Sequence, residues 1–260
     1  MRSLWKGAIS FGLVNIPVQM YAATEEKSVK FRQLHQVCNT PLQYQKSCPH
    51  CQREVPAEEI IRGYEYAPGQ FVVLTEADLD NLPGEATKTI DIIDFVNLQE
   101  IDPVYYHKTY YLAPQPTGQK AYALLRLAMT ETNRIAIAKV VLRAKQSLCA
   151  IRVQNSALVL ETMFFPDEIR PLDQLEIPRE VALNPKEVDM AISLIGSLTD
   201  TFAPEKYTDD YRIALLRLIE QKIAGQEVHQ APAAQDSAEV LDLLKALEES
   251  LKVVQATHGS

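Results

Sequence analysis

The spacing of apolar positions along the chain changes after residue 180. Up to Phe165, short runs of β-branched and aromatic residues are separated by glycine and proline, a pattern typical of strands and tight turns. One predicted helix, Gln119–Thr130, interrupts this series. Phe71–Leu74 is apolar at every position, which predicts a buried strand. The other predicted strands include Thr89–Val96, Arg134–Lys145, Leu148–Gln154 and Ala157–Phe165.

Beyond residue 180 the chain is predicted to be helical. Asn184, Pro185 and Glu187 predict a helix start, because each suits the first turn, where backbone N–H groups lack partners. A second helix is predicted after Thr208, and Asp236 caps a last one beyond a polar linker. The first two helices carry apolar stripes that are core or dimer surface: Val188, Ala191, Ile192, Ile195, Leu198 and Phe202, then Tyr211, Leu215, Leu218 and Ile219. The pattern predicts a mixed α+β, β-rich fold.

Positive charge is concentrated in one segment of an acidic chain. The formal net charge is -8, yet residues 103–152 carry eight basic residues and one acidic residue, Glu131. This concentration indicates a polyanionic partner such as duplex DNA, and the alternative is a solvated basic face. Alternation along the predicted strand Arg134–Lys145 places Lys139, Arg143 and Lys145 on one face. The candidate DNA-binding residues are Lys108, Lys120, Arg126, Arg134, Lys139, Arg143, Lys145 and Arg152.

The sequence HQVCNTPLQYQKSCPHC at residues 35–51 has the spacing of a zinc site. Two ligand pairs joined by a short hairpin supply the four ligands of a tetrahedral site. Such a site has no open position for water, so its role is structural. The alternative is that the thiols are small buried packing groups. The candidate ligands are His35, Cys38, Cys48 and Cys51, with His50 as a replacement for His35.

Sequence motifs for catalysis and membrane insertion are not found. The sequence has no phosphate-binding loop, no nucleophile elbow and no His-Glu-x-x-His zinc helix, so we expect a binding protein that uses no nucleotide, and not an enzyme. No apolar run approaches the length that spans a bilayer, and Gly, Asn and Pro break up the first residues too much for a signal peptide. We therefore expect a cytoplasmic protein with reduced thiols and no membrane partner.

Four stretches of the chain resemble one known family. They are WKGAISFGLVNIPVQMY near the N-terminus, then GYEYAPGQFVVLT, EIDPVYYHKTYYLAP and FAPEKYTDDYRIALLRLIEQKIAGQ. All four are similar to sequences of bacterial Ku proteins, which encircle broken DNA ends in non-homologous end joining. The resemblance implies a homodimeric ring that binds double-stranded DNA ends without reading their sequence. It also implies an ATP-dependent DNA ligase as a partner and association with the nucleoid.

The same resemblance implies a role for each region. Residues 1–180 are expected to form a Ku-like β-barrel, with the Cys/His insertion at 35–51 and an extended, DNA-facing basic bridge at 103–165. Residues 181–225 are expected to form a helical arm that embraces the other subunit. Residues 226–260 are expected to be a linker and an amphipathic helix that recruits the ligase through Val240, Leu244, Leu247 and Leu251.

Two other functions remain open. A zinc-containing, sequence-specific DNA-binding regulator needs a helix rich in Arg, Asn or Gln near the metal, whereas residues 52–62 have several acids. An enzyme of nucleic-acid metabolism with a structural zinc would turn over DNA. Acidic pairs such as Asp91 and Asp94 arise freely in a chain with so many carboxylates, so they are a weak sign of a nuclease.

Overall fold

The computed structural model describes residues 1–75, 77–78, 88–142, 145–178, 181–225 and 243–258. The chain divides into two compact units, Met1–Leu172 and Asp173–Ser260. The strands, all in the first unit, are β1 Trp5–Phe11, β2 Val14–Ala22, β3 Ser47–Cys48, β4 Arg53–Glu54, β5 Arg62–Ala67, β6 Gln70–Leu74, β7 Thr89–Val96, β8 Tyr106–Pro114, β9 Ile135–Leu142, β10 Lys145–Gln154 and β11 Ala157–Met163. The helices are α1 Gln119–Thr132 in the first unit and α2 Pro185–Leu198, α3 Asp210–Ile223 and α4 Leu243–His258 in the second.

Seven of the described strands form a closed barrel in the order β1-β2-β8-β11-β10-β9-β7. Neighbouring strands are antiparallel apart from β1 and β7, which pair in parallel and close the barrel. Closure gives each strand a partner on both sides and so leaves no barrel edge open to another chain. The barrel and the helices confirm the predicted mixed α+β, β-rich fold.

Alternate residues of the strands and one face of α1 fill the barrel interior. The hydroxyl of Tyr122 on α1 donates a hydrogen bond to the carbonyl oxygen of Leu112 and accepts one from the N–H of Leu158, each at 2.7 Å. Gly118 precedes the helix, and a β-carbon there would lie 2.6 Å from the carbonyl oxygen of Pro17, so a side chain would push the helix off β2. The fully buried interior residues include Ile9, Ile16, Val18, Met20, Ile90, Val140, Ile151, Leu158 and Leu160.

The connection between β2 and β7, residues 23–88, departs from the barrel. Its described part contains the two-stranded ribbons β3–β4 and β5–β6, and most of its side chains are exposed. The prediction that Phe71–Leu74 is a buried strand is wrong, since Phe71 is 61% and Leu74 37% exposed. An apolar run indicates burial only where a second layer covers the strand, and this exposure shows that no described residues do so here.

The second unit has the helix starts that the sequence predicted. The side chain of Asn184 accepts a hydrogen bond from a first-turn N–H of α2 at 3.1 Å, and the carboxylate of Glu187 accepts one from the N–H of Asn184 at 3.3 Å. Asp209 caps α3 by accepting from the N–H of Arg212 at 2.9 Å. Helix α4 packs against α2. The predicted cap of the last helix, Asp236, lies outside the described residues.

Much of the apolar surface of the second unit is exposed. On α2, Ile192 is 62% and Ile195 is 66% exposed, and on α3 Tyr211 is 78% exposed. Tyr211 was predicted to be buried, and for a single chain that prediction is wrong. The described residues therefore leave most of the stripe on α2 uncovered.

The segment that is expected to form the extended basic bridge, residues 103–165, contributes to the barrel. Residues 103–165 form β8, α1, β9, β10 and β11, so they are barrel wall and barrel helix. The basic residues of this segment are interspersed with residues that fill the barrel, which charge alone does not reveal. The described strands of the β2–β7 connection lie outside the barrel sheet. Over the described ranges, no helix is both long and apolar enough to cross a bilayer.

Candidate nucleic-acid interface

The predicted DNA-binding residues are spread over several parts of the barrel. The exposed ones are Lys108 on β8, Lys120 on α1, Arg134 just before β9, Lys139 on β9 and Lys145 at the start of β10. The half-buried ones are Arg126 on α1 and Arg152 on β10. Arg143 lies outside the described residues.

Lys139 and Lys145 lie on opposite faces of the sheet. The predicted strand Arg134–Lys145 is two strands, because β9 ends at Leu142 and β10 begins at Lys145. Lys145 pairs with Leu142, which packs against the core, whereas Lys139 alternates with the inward residues of β9. The predicted row of cations on one strand face is therefore wrong. Residues 143–144, Arg-Ala, include none of the glycine, proline or asparagine that marks a turn, so the sequence shows no sign of a hairpin there.

Arg152 forms a half-buried ion pair with Glu161 on the neighbouring strand β11. Its Nε and Nη2 atoms lie 3.0 and 2.8 Å from Oε1 of Glu161. Burial, and then the negative charge of Glu161, raise the pKa of Tyr106, whose buried hydroxyl has no hydrogen-bond partner among the described residues. Because Glu161 neutralises part of its charge, Arg152 has less to contribute to a phosphate contact than the sequence suggested.

Two exposed lysines also have acidic neighbours. Lys145 Nζ lies 3.1 Å from Oε1 of Glu168. The backbone N–H of Phe165, and then Lys145, hold the pKa of Glu168 below its usual value. Lys139 is the direct register partner of Asp91 on β7. Carboxylates from outside residues 103–152 thus balance part of the positive charge of that segment.

Three arginines meet at one end of the barrel. Arg126, Arg134 and Arg152 line a pocket of about 550 Å³, which we call the arginine pocket. They come together because the C-terminal half of α1, the start of β9 and the end of β10 lie at the same end of the barrel, β9 and β10 being antiparallel. The described lysines of the predicted set do not line this pocket.

A second basic segment lies in the connection, and the predicted set of DNA-binding residues did not include it. From Lys27 to Arg53 the sequence has five basic and no acidic residues. Lys27 pairs with Glu25, and Arg53 pairs with Glu59. The acid-free run is a visible signal, but the acidic residues that follow it conceal it when charge is averaged over the whole connection. The exposed cations of the run that enter none of the ion pairs found among described residues are Lys30, Arg32 and Lys46.

The four predicted zinc ligands form two separate pairs. His35 Nδ1 lies 3.0 Å from the sulfur of Cys38, and the N–H of Cys51 donates to the sulfur of Cys48 at 3.5 Å. Within the described ranges, no group of three or more His, Cys, Asp or Glu side chains is placed to hold a metal ion. These residues therefore do not fit the predicted four-ligand site. His50 does not complete it either: its Nδ1 lies 4.0 Å from the sulfur of Cys51, and among the described side chains no third ligand joins them.

Comparison with known proteins gives one consistent result. The family model of the Ku70/Ku80 beta-barrel domain matches residues 10–190. The non-homologous end joining protein Ku of Symbiobacterium thermophilum is 50% identical over 261 residues, which cover 100% of this chain and 65% of that protein. The proteins of the same name from Heliobacterium modesticaldum and Bacillus subtilis are 47% and 44% identical, with 98% and 96% of this chain covered and 93% and 82% of theirs.

Two of the matches are partial. The chain spans 65% of the length of the first relative. A crystal structure of the SPOC domain of human PHD-finger protein 3 matches 62% of this chain and 95% of its own with a TM-score of 0.30 and 11% identity, a likeness too low to carry an argument.

Proposed function

Because this chain belongs to the Ku family, we propose that it binds the ends of double-stranded DNA as a homodimeric ring and takes part in non-homologous end joining. The observation that carries the proposal is that the matched residues, 10–190, contain nearly all of the closed barrel. As a member of this family the chain is a binding scaffold and not an enzyme. The zinc-containing regulator has no support, since its metal ligands do not gather among the described residues.

A ring explains how a protein that reads no sequence selects broken DNA. A closed ring is loaded only over a free end, and its contacts to phosphates position the duplex without specifying bases. We propose that the β2–β7 connection, rather than residues 103–165, passes over the duplex. Two observations support this placement: the described strands of the connection are not part of the barrel sheet, and Lys30, Arg32 and Lys46 are exposed on it. If it acts on broken ends of chromosomal DNA, the protein would work at the nucleoid.

The exposed apolar surface of the second unit supports a homodimer. Ile192, Ile195 and Leu198 on α2 and Tyr211 on α3 are each more than half exposed in the single chain. Exposed apolar side chains in such number are costly in water and mark an interaction surface. We propose that residues 181–225 pack on a second copy of the chain.

Recruitment of an ATP-dependent DNA ligase through the last helix is also part of the proposal. Leu244, Leu247 and Leu251 are half-buried on α4, which packs against α2, and Val240 lies outside the described residues. A ligase that uses this stripe would share or replace the contact with α2. The predicted structural zinc is not retained, because His35, Cys38, Cys48 and Cys51 do not form one site.

Binding to linear and covalently closed circular DNA of one sequence tests the proposal. A ring retains the linear form and not the circle, a sequence-specific regulator binds both, and an enzyme changes the DNA. Light scattering during size-exclusion chromatography should give the mass of two chains. Equal binding of both DNA forms, or a mass of one chain, would overturn the ring.

A further inference from the structure

We propose that the arginine pocket binds a terminal phosphate group, carried either by a free phosphorylated molecule or by the 5′ end of DNA. If the phosphate is that of a DNA end, the proposal rests on the function proposed above. If the phosphate belongs to a free molecule, it does not. A phosphate within a nucleic-acid strand is a diester with one negative charge. A terminal phosphate has up to two charges and three free oxygens, which suit several guanidinium groups at once.

The charges at the pocket leave a net positive site. Arg152 is paired with Glu161, but neither Arg126 nor Arg134 enters an ion pair among the described residues. Arg126 is also half-buried, and a partly buried charge without an opposite charge is costly. An anion in the pocket would offset that cost.

Glu100 is a further carboxylate close enough to Arg134 to interact with its charge. Its side chain accepts hydrogen bonds from the side-chain amide and the N–H of Asn97, at 2.7 and 3.2 Å. Those bonds are the main reason that the pKa of Glu100 is lowered, and the charge of Arg134 is the smallest one. Glu100 is thus held by the loop after β7 and does not line the pocket, so most of the charge of Arg134 remains available.

Neutral hydrogen-bonding groups also line the pocket, together with the apolar side chains of Leu98, Met129, Ile135 and Val153. Gln99, Asn133 and Asn155 line the pocket beside the arginines. Asn133 and Asn155 have φ angles of 50° and 54°, a left-handed conformation that asparagine tolerates better than most residues. Asn133 ends α1, and Asn155 is in the turn between β10 and β11. Amide groups donate to phosphate oxygens without adding charge, so this lining favours an oxyanion over an apolar ligand.

The partial negative charge at the C-terminal end of α1 disfavours an anion in the pocket, but only weakly. A helix C-terminus acts as about half a negative charge. Here the N–H of Asn133 caps the carbonyl oxygens of Met129 and Thr130, and the Thr130 hydroxyl donates to the carbonyl oxygen of Arg126 at 2.9 Å. The last carbonyl groups are therefore largely satisfied. Two guanidinium groups without ion-pair partners among the described residues outweigh what remains.

The size of the pocket argues against the DNA backbone as its ligand. A duplex presents a broad, convex row of phosphates, which surface lysines can follow but which does not enter a cavity of about 550 Å³. A terminal phosphate with its attached sugar, or a pyrophosphate group, does fit such a volume. The pocket therefore suits a terminal phosphate, whereas the exposed lysines on the rest of the barrel suit the phosphates of a DNA backbone.

The experiment compares two double variants of the full chain. Arg126→Gln with Arg134→Gln removes two guanidinium groups and keeps the Arg152–Glu161 pair. Lys108→Gln with Lys120→Gln, a matched control, removes two exposed cations that do not line the pocket. The probes are a blunt 30-base-pair duplex with 5′-phosphates, the same duplex with 5′-hydroxyls, and inorganic pyrophosphate measured by calorimetry.

We expect the unmodified chain to prefer a phosphate-bearing probe by about tenfold or more, the contribution of one charge-assisted hydrogen bond. If the source is DNA, the 5′-phosphorylated duplex binds more tightly than the 5′-hydroxyl duplex, and only the arginine variant loses the difference. If the source is a free molecule, pyrophosphate binds once per chain, only the arginine variant loses it, and the two duplexes bind equally.

The proposal is overturned if the unmodified chain neither prefers the 5′-phosphorylated duplex nor binds pyrophosphate. It is also overturned if the arginine variant keeps that preference or that binding while its thermal unfolding is unchanged. Should that variant unfold, Arg134→Gln alone gives the same test, because Arg134 is exposed. Failure of the ring proposal is distinguishable. If the ring proposal fails, linear and circular DNA bind alike, and pyrophosphate binding still tests the pocket. If only the pocket proposal fails, the 5′-hydroxyl duplex binds tightly, the 5′-phosphate adds nothing and pyrophosphate does not bind.

Discussion

The barrel and the β2–β7 connection belong to the same unit, yet they use their side chains in opposite ways. Barrel residues such as Ile151 and Leu160 are completely buried, and the buried hydroxyl of Tyr122 ties α1 to the backbone of β8 and β11 through two hydrogen bonds. In the connection, even the apolar strand β6 is exposed. Stability of the unit therefore resides in the barrel, whereas the connection is constrained little by packing. Its charged and apolar side chains remain available to a partner.

The strongest test of this contrast removes one large apolar side chain from each region. Ile151→Ala should lower the free energy of unfolding by about 2–5 kcal/mol, because it leaves a cavity in a closed core. Phe71→Ala, in the exposed ribbon, should change it by no more than about 0.5 kcal/mol. Urea unfolding monitored by circular dichroism measures both. Equal losses would mean that the connection packs as tightly as the barrel.

Removing one buried hydroxyl should have the next largest effect. Tyr122→Phe leaves the Leu112 carbonyl oxygen and the Leu158 N–H unpaired, at a cost of about 1–3 kcal/mol of unfolding free energy. Tyr66→Phe, on the exposed strand β5, is the matched control and should be close to neutral. A neutral result for Tyr122→Phe would show that these two backbone groups find other partners.

DNA binding should show the reverse dependence on region. Replacing Lys30, Arg32 and Lys46 with Gln should lower the slope of log affinity against log salt by about 0.9 for each phosphate that the variant no longer neutralises, with no loss of stability. The matched barrel variant replaces Lys108, Lys120 and Lys139, of which Lys139 already faces Asp91. We expect a smaller change from it. A larger change in slope for the barrel variant would indicate that the duplex contacts the barrel wall, and it would contradict our placement of the bridge.

The smallest predicted effect concerns acid stability at the end of the barrel. Because the pKa of Glu168 is lowered in the folded state, its ionised form stabilises the fold at pH values above the pKa of the unfolded chain, about 4.3. This contribution disappears as the pH falls through the lower, folded value. Glu168→Gln should therefore be less stable than the original chain at pH 7, and the difference should vanish on acidification.

A lysine variant separates the two causes of that shift. Lys145→Gln removes the ion pair and keeps the Phe165 N–H bond, which is the larger cause, so it should reproduce only a minor part of the change. Urea midpoints at several pH values measure both variants. A stability difference for Glu168→Gln that grows on acidification would contradict the assigned direction of the shift.

The sequence predicts elements well where local chemistry decides them. The bounds of β7 agree with the predicted strand Thr89–Val96, and Asn184 and Glu187 cap α2 as expected, because capping depends only on neighbouring residues. The hairpin after Leu142 has no turn residue to reveal it, so one strand was predicted in place of two. Burial of β6 depends on a covering layer, which local sequence does not specify.

The candidate site shows the same division. Charge counting found Arg126, Arg134 and Arg152, but their convergence depends on barrel topology, which brings the C-terminal half of α1 and the end of β10 to the start of β9. The zinc prediction failed for a related reason. Spacing places His35 near Cys38 and Cys48 near Cys51, as found, but the fold of the intervening segment decides whether two pairs meet.

The strand order of the barrel has a consequence for synthesis on the ribosome. The hairpin of β1 and β2 emerges first, but its permanent neighbours are β7 and β8, and β8 in turn waits for β11. A nascent chain cannot complete the cylinder until Met163 has left the exit tunnel. Until then the inward face of the hairpin, with Ile9 and Val18, has no lasting cover, and this first hairpin is where a chaperone would be needed.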